Sequence, residues 1–231
     1  MNTLKVVGSG STGNLYLLNC ADETLIIEQG LSFRDMKIAR NFNLGGIVGG
    51  ICSHAHSDHN RYTREYERAG IPIYKPFDSD KRKVKFGGFS IQAFEVPHTD
   101  ELHCFGFYIK HKEIGKMLFL TDLRYCPFDF SRLGVNHIMV ECNYCESLLP
   151  EEITNVHKIT GHLALGTCKE FVRINKSEAL HTVTIIHIGE YSDEAEIERE
   201  IKAVAGGADV KIAKKNLIIN LNKTEEQKNE F

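Results

Sequence analysis

The chain has 231 residues, 42% hydrophobic and 26% charged, which is enough for one well-buried core and sized for a single domain. Its formal net charge of −3 removes any global electrostatic case for a protein that coats nucleic acid. The start, MNTLKVVGSG, lacks the apolar core of a signal peptide, and no apolar run approaches the ~18 residues of a membrane span, so a cytoplasmic protein with no membrane partner is expected.

In chain order, LKVV reads as a strand leading into the glycine-rich GSGSTG, then NLYLLNC, a turn at ADE and TLIIEQG. That is strand, loop and hairpin. Gly8, Gly10 and Gly13 match the spacing of a dinucleotide-binding loop. Such a loop must open a helix whose N-terminus holds the pyrophosphate, and an apolar strand comes next here instead. LSFRDMKIARNF is a short helix with Ser32 as N-cap and Asp35 three residues on. GGIVGGICSH is a buried strand interrupted by glycines, and NRYTREYERAG is a helix closed by Gly70. Lys75, Lys81, Arg82, Lys83 and Lys85 form a local basic segment, read as a solvated edge with room to meet a polyanion.

FSIQAFEV, CFGFYIK, KMLFLTD and HIMVECN are further strands, with HKEIGK a turn between two of them. HLALGTCKEFVRIN is a helix, TVTIIHIG a β-branched strand, SDEAEIEREIKAV an amphipathic helix capped by Ser192, and KNLIINL a closing strand. Residues 222–231 read as a polar tail, leaving 1–221 as a single domain. Strands before helices in each half predict two sheets packed face to face with helices outside, an α/β (α+β) arrangement. The cysteines are odd in number, seven, and suit a reducing compartment. Cys142 and Cys145 have zinc-ligand spacing, but no second pair completes a site, so they read as small strand-end residues.

The stretch CSHAHSDHN comes directly after the glycine-interrupted strand. Alternation puts His54 and His56 on one side, while Asp58 and His59 can turn to the other. Two pairs of ligands facing neighbouring points suit a dinuclear site, and imidazole with carboxylate suits zinc, manganese or iron. His98 comes after FEVP, Asp122 ends MLFLT, and His187 ends TVTII, so each sits at the terminus of a predicted strand. Taken singly, each histidine is more simply a hydrogen-bonded structural residue. Together they extend a dense cluster.

H-x-H-x-D-H, with a later His, an Asp and a last His, resembles the metallo-β-lactamase-fold hydrolases over roughly residues 4–188. The resemblance implies a four-layer αβ/βα sandwich with two metals at the sheet edge. His54, His56 and His98 would bind one metal, Asp58, His59 and His187 the other, and Asp122 would bridge them. Within that superfamily, GSGSTGN, SHAHSDH, TDL, VECN, GHLA and HIG are similar to the small YycJ-like branch, close to the ribonuclease Z-like phosphodiesterases and regarded as nucleases. Glu28 stands where the superfamily usually has a bracing aspartate, and HIG replaces the more usual HLS. Sixty-five residues separate Asp122 from His187, too few for a large inserted cap domain, and no protruding tRNA-binding arm is evident.

The resemblance further implies a hydrolase with two divalent ions, zinc first and manganese or iron as alternatives. Such a pair lowers the pKa of a bridging water, and the hydroxide attacks phosphorus or a carbonyl carbon. Asp58 would orient that hydroxide. A phosphodiester also needs a proton for its leaving alkoxide, and His162 in TGHLA is the candidate general acid, against a plainer role as a helix-capping histidine. The expected substrate is DNA or RNA, met by Arg34, Arg61, Arg64 and the basic segment. The alternative is a small thioester, lactone or cyclic phosphodiester. A purely structural metal site is disfavoured, because seven candidate ligands for two metals leave room for water. Glu141 and Asn143 are expected to brace the site or touch substrate. His103, His111, His137, His157 and His181 read as surface or turn residues.

Overall fold

The computed structural model describes residues 1–99, 101–151 and 160–222. His157 and the tail beyond Asn222 lie outside the described residues. The strands are β1 (Thr3–Gly8), β2 (Leu15–Cys20), β3 (Glu23–Ile27), β4 (Ile47–Ile51), β5 (Ile73–Tyr74), β6 (Lys83–Phe86), β7 (Phe89–Val96), β8 (Cys104–His111), β9 (Gly115–Leu120), β10 (His137–Glu141), β11 (Thr182–Ile186), β12 (Asp209–Ile212) and β13 (Ile218–Asn220). The α-helices among the described residues are α1 (Phe33–Ala39), α2 (Ser57–Asn60), α3 (Thr63–Arg68), α4 (Leu165–Asn175) and α5 (Glu194–Val204).

These strands form two sheets, in the orders β13-β1-β2-β3-β4-β5 and β12-β11-β10-β9-β8-β7-β6. Their inner faces meet in one apolar layer, where Leu4, Val6, Tyr16, Leu18 and Ile27 of the first sheet pack against Phe89, Ile91, Phe107, Phe119 and Met139 of the second. Full burial of side chains this large contributes about 1.5–3 kcal/mol apiece. The outer face of the first sheet, through Leu15, Leu17 and Ile26, is covered by Met36 of α1 and Tyr66 of α3. The outer face of the second, through Leu118, Leu120, Ile138 and Val183, is covered by Cys168 and Val172 of α4 and by Ile197 and Ile201 of α5. Helix, sheet, sheet, helix is the expected αβ/βα sandwich.

Both sheets mix antiparallel and parallel pairs. β3, β4 and β5 run parallel, as do β9, β10, β11 and β12. Parallel neighbours end on the same side, so the residues after β3, β4, β9, β10 and β11 gather at one edge of the sandwich. β7, which pairs antiparallel with β8, ends there too, because Phe105 at the start of β8 donates its N–H to Ser53 O just beyond β4. The glycine-rich loop joins β1 to an antiparallel β2, which rules out the dinucleotide reading.

Several local expectations need correction. The helix expected over residues 60–70 is the shorter α3, and a separate short helix within the motif, α2, carries Asp58 and His59. Helix α5 is capped by Asp193, whose side chain accepts from the N–H groups of Ala195 and Glu196, while Ser192 donates to Asn143 O instead. β5, β6 and β12 have no counterpart among the strands expected from sequence. Ser32 and Asp35 do form the reciprocal capping box expected of them. His111 and His137 are buried rather than superficial. His111 packs against Phe89 with the rings tilted by 37° and faces Glu23, tying the two sheets together at the end away from the clustered strand termini.

His137 opens β10 with Nδ1 2.9 Å from Thr182 Oγ1, and burial pushes its pKa down to about 3 from an ordinary 6.5. It is therefore neutral in the folded chain, whereas the unfolded chain takes up its proton below pH 6.5. Its contribution is complete above that pH and is lost as pH falls towards 3. In urea titrations, His137→Leu should flatten the fall of stability across this window by up to about 1.4 kcal/mol per pH unit. An unchanged slope would mean that His137 does not carry this acid sensitivity.

Candidate metal centre

The motif loop leaves β4 at Cys52 and places His54 at the sheet edge, wholly buried. His54 Nδ1 lies 2.9 Å from Ser53 Oγ, which turns Nε2 inward to 3.0 Å from His56 Nδ1. His98, two residues past β7, donates from Nδ1 to Gly161 O at 2.7 Å. A carbonyl only accepts, so the proton of a neutral His98 is on Nδ1 and Nε2 presents a bare lone pair, 3.3 Å from His56 Nδ1. Burial pushes the pKa of both His54 and His98 down. Three imidazole nitrogens thus converge on one point.

A second group lies alongside. His59 Nε2 is 3.2 Å from Asp58 Oδ2 and 3.2 Å from Asp122 Oδ1. His187 Nε2 is 3.2 Å from Asp58 Oδ2 and 3.6 Å from Asp122 Oδ1. Asp122 also faces the first group, with Oδ2 3.6 Å from His54 Nε2 and 3.9 Å from His98 Nε2. The candidate ligand atoms fall into sets His54, His56, His98, Asp122 and Asp58, His59, Asp122, His187, with a third, Asp122, Glu141, His162, His187, overlapping the second, and the atoms of each set lie within 4.8 Å of one another. All seven residues singled out from the sequence are brought together.

Electrostatics tests whether this donor set fits a cation. Burial alone would raise the carboxyls of Asp58 and Asp122, but bonds from His187 and His59 hold Asp58 low, and the charges of His187 and His59 hold Asp122 low. Conversely, burial is the largest influence on His59 and His187 and would lower both, but the carboxylates together outweigh it, Asp122 and Glu28 with Asp58 at His59 and Asp122 with Asp58 and Glu141 at His187. The pKa of His187 rises to about 10. In the second group, protons on histidine supply the positive charge that buried carboxylates require. A divalent ion supplies the same charge and frees the imidazole lone pairs to bind it, so the residues fit a metal.

Two buried glutamates hold these side chains from behind. Glu28, after β3, accepts Ser53 N–H at 3.2 Å and lies 3.5 Å from His59 Nδ1. Its backbone is left-handed, φ 63°, and the longer side chain still reaches the position that braces His59. Glu141, at the end of β10, is expected from sequence to brace the site or touch substrate, and it braces two of its histidines. Oε1 meets His162 Nδ1 at 2.5 Å and His187 Nδ1 at 3.2 Å, while Oε2 accepts Leu123 N–H at 3.1 Å. Burial alone would lower His162, but Glu141 outweighs it and raises its pKa. The His162 ring stacks on that of His187 with centroids 5.3 Å apart, and its side chain is 17% exposed, so solvent reaches it. Asn143 donates to His187 O at 3.0 Å. Asn14, which no sequence signal other than the GSGSTGN stretch marks, contacts Asp58 and His59. Cys142 and Cys145 are buried, and among the described residues no candidate metal group includes a cysteine. Of the basic segment, Lys75 pairs with Glu67 and Asp78, and Arg82 braces the carbonyls of Pro76 and Ser79.

The αβ/βα sandwich, with His/Asp clusters at the strand ends, is the metallo-β-lactamase fold, as the resemblance implied. Solved structures agree: the metallo-β-lactamase-fold protein YhfI of Bacillus subtilis superposes with TM-score 0.71 over 94% of this chain and 98% of its own, at 18% identity. A diphosphatase of the PhnP family gives 0.66 over 95% and 98% at 13% identity, and the short form of human tRNase Z gives 0.61 over 96% and 100% at 13%. In sequence the chain is similar to the exodeoxyribonuclease YycJ of Bacillus anthracis, 25% identical over 170 residues that span 62% of this chain and 64% of that protein. No family model matches.

Among the described residues Asp122 belongs to every candidate group, so metal loading should depend on it. Adding zinc or manganese to chelator-treated protein should raise its unfolding temperature, and Asp122→Ala should abolish most of that rise. An equal rise in wild type and variant would place the binding elsewhere.

Proposed function

We propose that the protein is a dinuclear-metal hydrolase that cleaves phosphodiester bonds of DNA or RNA. The observation that carries this reading is the division of Asp122 between two ligand groups, Oδ2 towards His54 and His98 and Oδ1 towards His59 and His187. His54, His56 and His98 would hold one ion, Asp58, His59 and His187 the other, and Asp122 both. Bound divalent ions, zinc by preference and manganese or iron as alternatives, supply Lewis acidity that polarises a phosphate and lowers the pKa of water. The chain does the rest. Asp58 orients the attacking oxygen. Glu141 fixes His162 through Nδ1, leaving Nε2 to deliver a proton to the departing alkoxide. Because ligands come from both sheets, residues 1–221 are taken to act as one unit.

The nucleic-acid substrate is supported by the names of the exodeoxyribonuclease and tRNase relatives, and by exposed Arg61 directly after α2. A cytoplasmic setting accords with the seven free cysteines. Among the described residues no helix is long and apolar enough to cross a membrane. One observation favours the second reading, hydrolysis of a small thioester, lactone or cyclic phosphodiester. A cavity of about 360 Å³ opens beside His98, and Glu95 and Glu101 line it, which disfavours a polyanion on that side.

His162→Ala loaded with zinc or manganese separates the two. Cleavage of end-labelled DNA or RNA should fall ~10²–10⁴-fold. Hydrolysis of bis-p-nitrophenyl phosphate, whose leaving group needs little acid help, should fall far less. If wild type leaves both polymers intact and hydrolyses thioesters or lactones, the second reading replaces the first.

A further inference from the structure

Asn14 lies at the end of the loop between β1 and β2, with its side chain fully buried. Its amide is committed on both sides. Oδ1 accepts Gly10 N–H at 2.8 Å and the Tyr16 hydroxyl at 3.2 Å. A backbone N–H only donates, so the atom facing it is the oxygen, while Nδ2 donates to Gly10 O at 3.1 Å and also faces the motif residues. Nδ2 lies 3.2 Å from Asp58 O, 3.3 Å from Asp58 Oδ2 and 3.1 Å from His59 Nε2. The backbone adds to this, with Asn14 N–H donating to Asp58 O at 2.7 Å. Gly30 makes the approach possible, because a Cβ there would sit 1.7 Å from Asp58 O.

The contacts continue through Tyr16. Its hydroxyl is 2.8 Å from Ser9 Oγ, which in turn accepts the backbone N–H of His187 at 2.9 Å. Ser9, Tyr16 and Asn14 therefore form one chain of hydrogen bonds that ends on Asp58 and His59 at one side and on His187 at the other. Those three residues complete the second ligand group with Asp122. Among the described residues, no hydrogen bond joins the chain to His54, His56 or His98; Ser53 Oγ holds His54 and Gly161 O holds His98 instead.

We propose that Asn14 is a positioning residue for the second ion alone, with Tyr16 and Ser9 holding it in place. The proposal rests on the dinuclear reading. Its physical basis is that Nδ2–H keeps the Asp58 carboxylate turned towards His59 and His187. Without the amide, that carboxylate must be gathered from a looser set of orientations each time an ion binds. Outer partners of this kind typically contribute ~10–100-fold to metal affinity.

The test is calorimetric titration of chelator-treated protein with zinc, paralleled by cobalt titration monitored by visible absorption. Wild type should take up two ions. Asn14→Ala should weaken one step ~10–100-fold and leave the other unchanged. Tyr16→Phe, which keeps the ring and deletes the hydroxyl, should weaken the same step by less. A merely structural role would weaken both steps together, and that result overturns the proposal, as do two wild-type affinities in the folded variants. If Asn14→Ala does not fold, Tyr16→Phe decides alone. Wild type that binds fewer than two ions removes the dinuclear reading itself, and the wild-type titration alone makes that failure visible.

Discussion

Carboxylates and imidazoles buried within a few ångströms of one another are stable only when positive charge lies among them. The architecture of this chain answers that requirement. Asp58, Asp122, Glu28 and Glu141 crowd one edge of the sandwich, and His54, His59, His98 and His187, set among them, each have the remaining ring nitrogen fixed or faced by a partner from the surrounding fold. The two groups meet the requirement differently. His54 and His98 are kept neutral by burial, whereas His59 and His187 are drawn towards protonation by the carboxylates. A centre so arranged already holds, in protons, part of the charge that metal ions would bring.

Placing these groups has a conformational cost. Glu28, Asp122 and His187 all have left-handed backbone, φ 63°, 49° and 50°, just beyond β3, β9 and β11. Non-glycine residues in this region cost about 1–3 kcal/mol each and persist where surrounding structure dictates them. Here each turn redirects a side chain that would otherwise continue the strand, so that residues from three strands face one point. At these three positions the strain falls on residues that hold or brace the centre.

Much of this is legible in sequence. The motif residues and the later His98, Asp122 and His187 can be found because each closes an apolar run, and a parallel strand ends where its neighbours end. Edge strands escape notice for the opposite reason. β5 is two residues long, and β6 and β12 alternate charged with apolar residues, so they leave no apolar run. The exposed lysines of β6 also suit an edge that must not pair with another chain. His137 reads wrongly as superficial because β10 is buried on both faces, which erases the alternation that would mark an inward histidine. Glu141 is placed by its position at the end of an apolar strand, as expected, but its partner His162 lies 21 residues away; Asn14 acts through contacts across 44 residues, and local pattern does not say what it touches.

The bond from His187 N–H to Ser9 spans 178 positions, and β13 pairs with β1 to close the first sheet. Closing so long a loop is entropically slow, which places these contacts among the later ones to form. During synthesis, residues 54–59 emerge well before His98, Asp122 and His187. A growing chain therefore offers metal only an open, partial set of donors. The complete cluster exists once both sheets have docked, so tight capture of a metal would be an event of late folding, and a bound ion would mark a chain that has finished it.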